Sequence, residues 1–295
     1  MSNGNKPTED QHFIPRMYLK GFSEVKKKGK KEKAFIYEFN INSMIQIPGQ
    51  VNIKNICVKK NLYEIFGADG SIIAQNRIEK IFQRIETETI RVIESIKKKS
   101  QNENCLACSY ILSEEDKSYL NIFIASLMYR DPQTINTGIK FLQDTNPSMS
   151  NVEARNFTIM NLLPFGVDDE WDKNTIIRTA VADISGMSFQ IGIADNDVIF
   201  TSDRPVIKTE PSKDELYNRP KAVIIPLTSK LVLFLFSTDN VEAIKASSFF
   251  KLSTEQIVSV QTYIAKFARE WIYSRYPLTP EQLEIIKKVR DWLYF

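Results

Sequence analysis

The apolar positions change period twice along the chain, and the changes divide it into three regions. Pro15 opens a short helix over 15–22, because proline suits the first helical turn. The stretches "AFIYEFN" (34–40), "MIQIP", "VNIKNIC" and "NLYEIF" are rich in aromatic and branched residues. Turn signals such as "PGQ" and "GADGS" separate them, so they read as short strands in a meander or hairpins. Over 75–99 the period lengthens: Ile78, Ile81, Phe82, Ile85, Val92, Ile93 and Ile96 fall on one helical stripe. Ser113, followed by Glu114, Glu115 and Asp116, is an N-cap with acids in the first turn. The helix it opens is apolar nearly all round as far as Arg130, which makes it central, and Pro132 ends or restarts it. Residues 150–163 and 169–184 read as two further helices.

From 187 the strand period returns in "MSFQIGIA", "DVIFTS", "KAVIIPL" and "KLVLFLFS", with "KTEPSKDELYNRPK" as a polar loop between them. Ser253 and Gln256 form a capping box for a helix over 254–275, and Thr279, Pro280 and Gln282 start another over 280–293. The fold class is therefore α+β. Short N-terminal strands and a second, C-terminal strand group surround a central helical bundle, and two helices close the chain. No internal repeat or long linker divides it, so 1–295 reads as one domain, with 1–10 disordered and 24–33 a mobile loop.

Charge changes this picture only locally. Thirty-nine basic against 36 acidic residues leave a net +3, which is no global signature of a nucleic-acid binder. The run "KKKGKKEK" (26–33) is densely basic. Like charges self-repel, so it reads as a solvated loop, with a grip on nucleic-acid phosphates as the alternative. Three cysteines suit a reducing compartment. The polar start is no signal-peptide core, and the longest apolar run, "LVLFLF" (231–236), is too short to span a bilayer. The expectation is a cytoplasmic protein without membrane contact.

Several phrases resemble a bacterial family of unknown function, DUF4238. They are "HFIPRMYLKGF", "CVKKNLY", "RIEKIFQRIE", "YRDP", "FTSDRPV" and "IIPLTSKLVLFL", in the family's order and over most of the chain. Many members begin with two histidines; here Gln11 holds the first place. The resemblance implies no settled activity. Some members sit near anti-phage genes, which implies a defence role.

The candidate chemistry lies in those phrases. His12 is the sole imidazole, able to move a proton, bind a metal, or peg the first segment to the far strands through a backbone carbonyl. Asp203 follows an apolar strand and is either a metal-binding or catalytic acid or a turn cap. Glu79 and Glu86, seven apart, share one side of a helix at the edge of its apolar stripe. Arg130 suits a carboxylate or phosphate. Arg16 and Arg204 are added as binding residues from their places in the motifs.

His12, Arg130 and Asp203 are the candidate catalytic set, with Asp203, Glu79 and Glu86 as the metal ligands. Cys105 and Cys108 form a CxxC that would need Cys57 and His12 to complete a zinc site. No phosphate-loop, dinucleotide, serine-hydrolase or zinc-protease motif occurs.

Three readings follow. The first is a binding or sensor module for a protein partner or anionic ligand. The second is a phosphodiester hydrolase or nuclease using Mg²⁺. The third makes the polar motifs a buried structural network. All depend on whether His12, Arg130 and Asp203 meet at one cleft.

Overall fold

Short strands come first: β1 (Asp10–His12), then α1 (Arg16–Leu19) and a single 3₁₀ turn, then β2 (Glu24–Lys28) and β3 (Lys31–Asn40). The computed structural model describes residues 9–29, 31–73, 75–162, 166–167, 170–171, 176–209 and 220–293. The expected disorder at 1–10 falls mostly outside them; Asp10 itself pairs in β1. The lysine run, expected as a loop, is instead an antiparallel hairpin of β2 and β3. Buried Ala34 and Ile36, with Phe39 further along, anchor β3 to the core, and that anchorage outweighs the repulsion between lysines.

The minor strands β4 (Ile45–Gln46) and β5 (Val51–Asn52) pair with β3, and β6 (Val58–Lys60) pairs with β1. Helix α2 (Arg77–Ser100) buries the expected stripe. Thr89 fills its one polar gap by bonding its hydroxyl to the Ile85 carbonyl at 2.7 Å. Helix α3 (Glu114–Tyr129) starts at a Ser113–Asp116 capping box and runs through the centre, with Leu120, Phe123, Ile124 and Ala125 fully buried. Pro132 restarts the chain as α4 (Pro132–Thr145), and Asp131 caps it. There follow α5 (Asn151–Leu162), the strand pair β7 (Gly166–Val167) and β8 (Glu170–Trp171), and α6 (Ile176–Ser185). The helix expected from 169 thus has strand β8 at 170–171 and a described helix from 176.

A five-stranded sheet holds the second strand region. Its members are β9 (Ser188–Ile193), β11 (Ile207–Lys208), β12 (Ala222–Pro226), β13 (Leu231–Phe236) and β14 (Ser247–Lys251), in the order β11-β12-β13-β9-β14. Only β14 runs parallel to its neighbour, and the five-residue helix α7 (Val241–Lys245) precedes it. Of the polar loop expected at 208–221, residues 210–219 lie outside the described residues.

The predicted helix 254–275 is shorter than its pattern. Helix α8 (Thr254–Phe267) stops early, and Trp271–Ser274 form strand β15 before α9 (Pro280–Leu293). Strand β15 pairs with β3 on one side and with β10 (Thr201–Ser202) on the other. Both strand regions therefore contribute to one sheet, ordered β10-β15-β3-β2 with β4 and β5 on β3. Buried apolar residues from Ile14 to Ile286 join one continuous core.

The first segment does dock on the far strands, through Tyr18 and Gly21. The Tyr18 hydroxyl lies 2.8 Å from Thr201 Oγ1. Gly21 accepts from Ser229 N at 3.0 Å, and a Cβ at residue 21 would come within 2.7 Å of the Leu227 carbonyl oxygen. Backbone atoms have nowhere to retreat. Gly21→Ala should cost about 1–3 kcal/mol through overpacking, seen as a lower urea midpoint with an unchanged slope.

Candidate functional site

Arg130 follows the last residue of α3 and is 1% exposed. Its Nη1 donates to Glu86 Oε1 at 3.0 Å and its Nη2 to the His12 carbonyl at 2.7 Å. Its Nε faces the Tyr63 hydroxyl at 3.4 Å, and that hydroxyl donates to the Arg130 carbonyl at 2.8 Å. The guanidinium carbon lies 4.0 Å from the Phe82 ring centroid. A fork of five donors is thus spread over acceptors from β1, α2 and the turn after β6.

Around this sealed cation lies a half-buried polar face: His12, Glu79 and Glu86, with exposed Arg16 beside them. Gln11, fully buried, donates from Nε2 to Glu64 at 2.6 Å and accepts from Tyr63 N at 2.7 Å. Glu64 in turn accepts from the Asn76 backbone at the start of α2.

Burial, then the charges of Arg16 and Arg130, lower the His12 imidazole to about 4, against the carbonyls of Lys54 and Ile53 that favour its proton. The ring is neutral at physiological pH. Burial raises Glu79; Arg130 opposes this, while Glu86 and Glu64 add to it. His12 Nε2 and Glu79 Oε2 are both buried and have no protein hydrogen-bond partner.

Five expected residues, His12, Arg16, Glu79, Glu86 and Arg130, therefore cluster. Arg130 meets the His12 main chain rather than its imidazole, and it faces no open cleft. Asp203 and Arg204 lie elsewhere. Asp203 Oδ1 accepts from Arg269 N at 2.9 Å, and Oδ2 from Glu270 N and Trp271 N at 2.9 and 3.2 Å. Its carboxylate caps the corner between α8 and β15, the turn-capping alternative of the sequence. Burial raises its pKa, and those three backbone donors oppose the rise.

Next to Asp203, Arg269 Nη1 grips Asp131 Oδ1 at 2.7 Å. Burial would raise Asp131, but the Thr134 hydroxyl and Arg269 hold it below the ordinary aspartate value. Asp131, Asp203 and Arg204 line a separate cavity of about 310 Å³. Arg130 and Asp131 thus point to two different clusters from one helix junction.

The expected metal set of Asp203, Glu79 and Glu86 is not assembled, because Asp203 is committed to the α8–β15 corner. Among the described residues no three His, Cys, Asp or Glu side chains gather as a metal group, and the His12–Cys57–Cys105–Cys108 set is not gathered either. Cys57 is buried, with its thiol 3.2 Å from the Tyr273 hydroxyl, whereas Cys108 is exposed. Tyr63, Glu64, Asp131 and Arg269 escaped the sequence reading. Tyr63 stands in the "CVKKNLY" phrase and Asp131 in "YRDP", just before the proline that opens α4, but nothing local distinguishes Glu64 and Arg269.

Fold and site together define an α+β protein with mixed sheets and a polar cluster built on a buried arginine. The family described as "Protein of unknown function (DUF4238)" matches residues 10–277, so the chain belongs to that family, as its motifs implied. No curated protein and no solved structure matches it. No described helix is long and apolar enough to cross a membrane.

Two outcomes follow. Arg130→Met should cost ~3 kcal/mol or more, because it strands Glu86 and the His12 carbonyl; chemical denaturation measures it. On acidification, the unfolded chain takes up a proton at His12 near 6.5 while the folded chain resists until about 4. That term of stability is complete above 6.5 and is lost as pH falls toward 4. Glu79 acts in the opposite sense, since its raised folded pKa favours the folded state at low pH. His12→Gln should therefore flatten the acid-side fall of Tm.

Proposed function

We propose that this protein is a ligand-binding module and that its site is the His12–Arg16–Glu79–Glu86 face. The observation that carries this is the pair of buried, unpartnered atoms His12 Nε2 and Glu79 Oε2 on one cluster. An unsatisfied buried polar atom costs roughly 1–3 kcal/mol, which a bound ligand group would recover. A neutral imidazole nitrogen accepts a hydrogen bond. A carboxyl of raised pKa accepts, or donates when protonated. Arg16 is exposed at the edge of the face, where its charge acts on both Glu79 and His12, and it can reach an anion bound there. The complementary ligand is a small polar molecule with an N–H or O–H donor and a carboxylate or phosphate. Arg130 supports the face from behind by fixing the His12 backbone and Glu86, and touches no ligand itself.

The sole histidine makes the reading testable without knowledge of the ligand. In protein labelled at histidine, one imidazole signal reports His12. Its titration should centre near 4, and it should shift on adding a binding member of a panel of amino acids, nucleoside monophosphates and inorganic phosphate. Arg16→Ala should abolish the response, and Lys287→Ala should leave it intact. A ring that titrates at its ordinary value, or a signal unmoved by the whole panel, rejects the site.

A further inference from the structure

The corner at 203–206 is rigid, yet the cation it carries is unengaged. Asp203 is held by three backbone N–H groups of the α8–β15 corner. Ser202 Oγ accepts from Arg204 N at 3.2 Å and donates to the Arg204 carbonyl at 3.0 Å. Pro205 fixes the next φ. The Arg204 backbone is thus pinned on both sides. Its guanidinium is exposed and makes no hydrogen bond or ion pair among the described residues. Lys208, the last residue of β11, is exposed and makes none either.

Both cations stand on the wall of the cavity of about 310 Å³. A second hollow, of about 520 Å³, shares Tyr129, Thr134 and Arg204 with it, so the two adjoin. Arg269 lines the second hollow and gives Asp131 only its Nη1, which leaves Nε and Nη2 without a protein acceptor. The acids on these walls are committed. Asp131 accepts from Arg269, from Gln133 N and from the Thr134 hydroxyl, and Asp203 from its three N–H groups. Three cations with donors to spare therefore face two carboxylates whose oxygens are already bonded.

The rest of the wall is apolar. Met128, Tyr129, Val206 and Phe267 line the first hollow and are only partly buried by the core they pack against. Phe141 lines the second and is 65% exposed. Covering such surface is favourable. A concave, largely apolar wall with a few convergent polar groups is the usual make-up of a small-molecule site, for which roughly 300–1,000 Å³ is ordinary.

We infer that this groove binds a small organic anion. Its carboxylate or phosphate meets Arg204, with Lys208 on one side and Arg269 on the other, and its aromatic or aliphatic body covers Tyr129 and Phe267. The planar fork of Arg204 suits either anion. A pinned backbone lowers the cost of ordering that side chain on binding. The phrases "YRDP" and "FTSDRPV", distant in sequence, meet here: each supplies one committed acid, and the second supplies the unengaged cation. The site is separate from the His12 face and does not rest on that reading.

Fluorine NMR tests it, with 4-fluorophenyl phosphate and 4-fluorobenzoate each titrated with the full chain. At least one should bind saturably, and the two arms tell phosphate from carboxylate. Inorganic phosphate, which has no body, and benzyl alcohol, which has no charge, should each compete roughly tenfold more weakly than phenyl phosphate or benzoate. Arg204→Ala should weaken binding about tenfold or more through the lost charge-assisted hydrogen bonds. Its Tm should not change, because no protein group is left unpaired. Lys208→Ala should weaken binding about threefold, as befits an exposed charge. Lys287→Ala, on α9, should leave it within about twofold, an effect of net charge alone.

The proposal is overturned by saturable binding of neither probe, by inorganic phosphate competing as well as phenyl phosphate, or by equal affinity in Arg204→Ala and the wild type. Loss in Arg16→Ala with none in Arg204→Ala also overturns it, because the anion then sits at the His12 face.

Discussion

A guanidinium sealed from water must find acceptors for its donors inside the protein, and that requirement at Arg130 organises the structure. The acceptors arrive from a strand carbonyl at His12, a helix carboxylate at Glu86 and a turn hydroxyl at Tyr63. None of these segments is adjacent in sequence, so satisfying one cation fixes β1, α2 and the end of α3 relative to one another. Leaving that charge with a partner missing would cost several kcal/mol, a large part of the net stability of an ordinary domain. The Phe82 ring packed on the guanidinium adds a cation–π contact in the same place.

The next residue extends the arrangement in the other direction. Asp131 caps α4, binds Arg269 and so touches the segment whose backbone Asp203 holds. One helix junction thereby joins the N-terminal face to the corner where α8 gives way to β15. Gln11 belongs to the same logic. Its amide both donates to Glu64 and accepts from the Tyr63 backbone, and the two nitrogens of a neutral histidine offer the same combination. Gln11 thus supplies here the donor and the acceptor that a histidine at this position could offer.

Much of the fold was legible because it rests on local signals. The α2 stripe, the Ser113 and Ser253 capping boxes and Pro280 mark helix starts that the structure places within a residue or two. The misses share a cause in distant partners. "FARE" favours helix, and the stop after Phe267 comes from a carboxylate at Asp203, far away in sequence. The lysine run looked like loop because repulsion is visible in sequence, whereas the burial of Ala34 and Ile36 that overrides it is not. The site divides the same way: His12, Glu79, Glu86 and Arg130 announced themselves by type and place, but Asp203 offered two roles of equal chemistry. Only the three backbone N–H groups aimed at it favour the turn.

The pairing of β3 with β15 also sets an order of events during synthesis. Residues 37–40 find their partners at 271–274, about 230 positions later. Until that distant segment leaves the ribosome, one edge of β3 stays open, with unpaired N–H and carbonyl groups and aromatic side chains beside them. Such an edge is a template for mispairing with another nascent chain. Closure across so long a loop is also slow by its entropy. The lysines on the flanking β2–β3 hairpin place like charge beside that open edge, one of the ways in which sheets guard an edge against pairing with another chain.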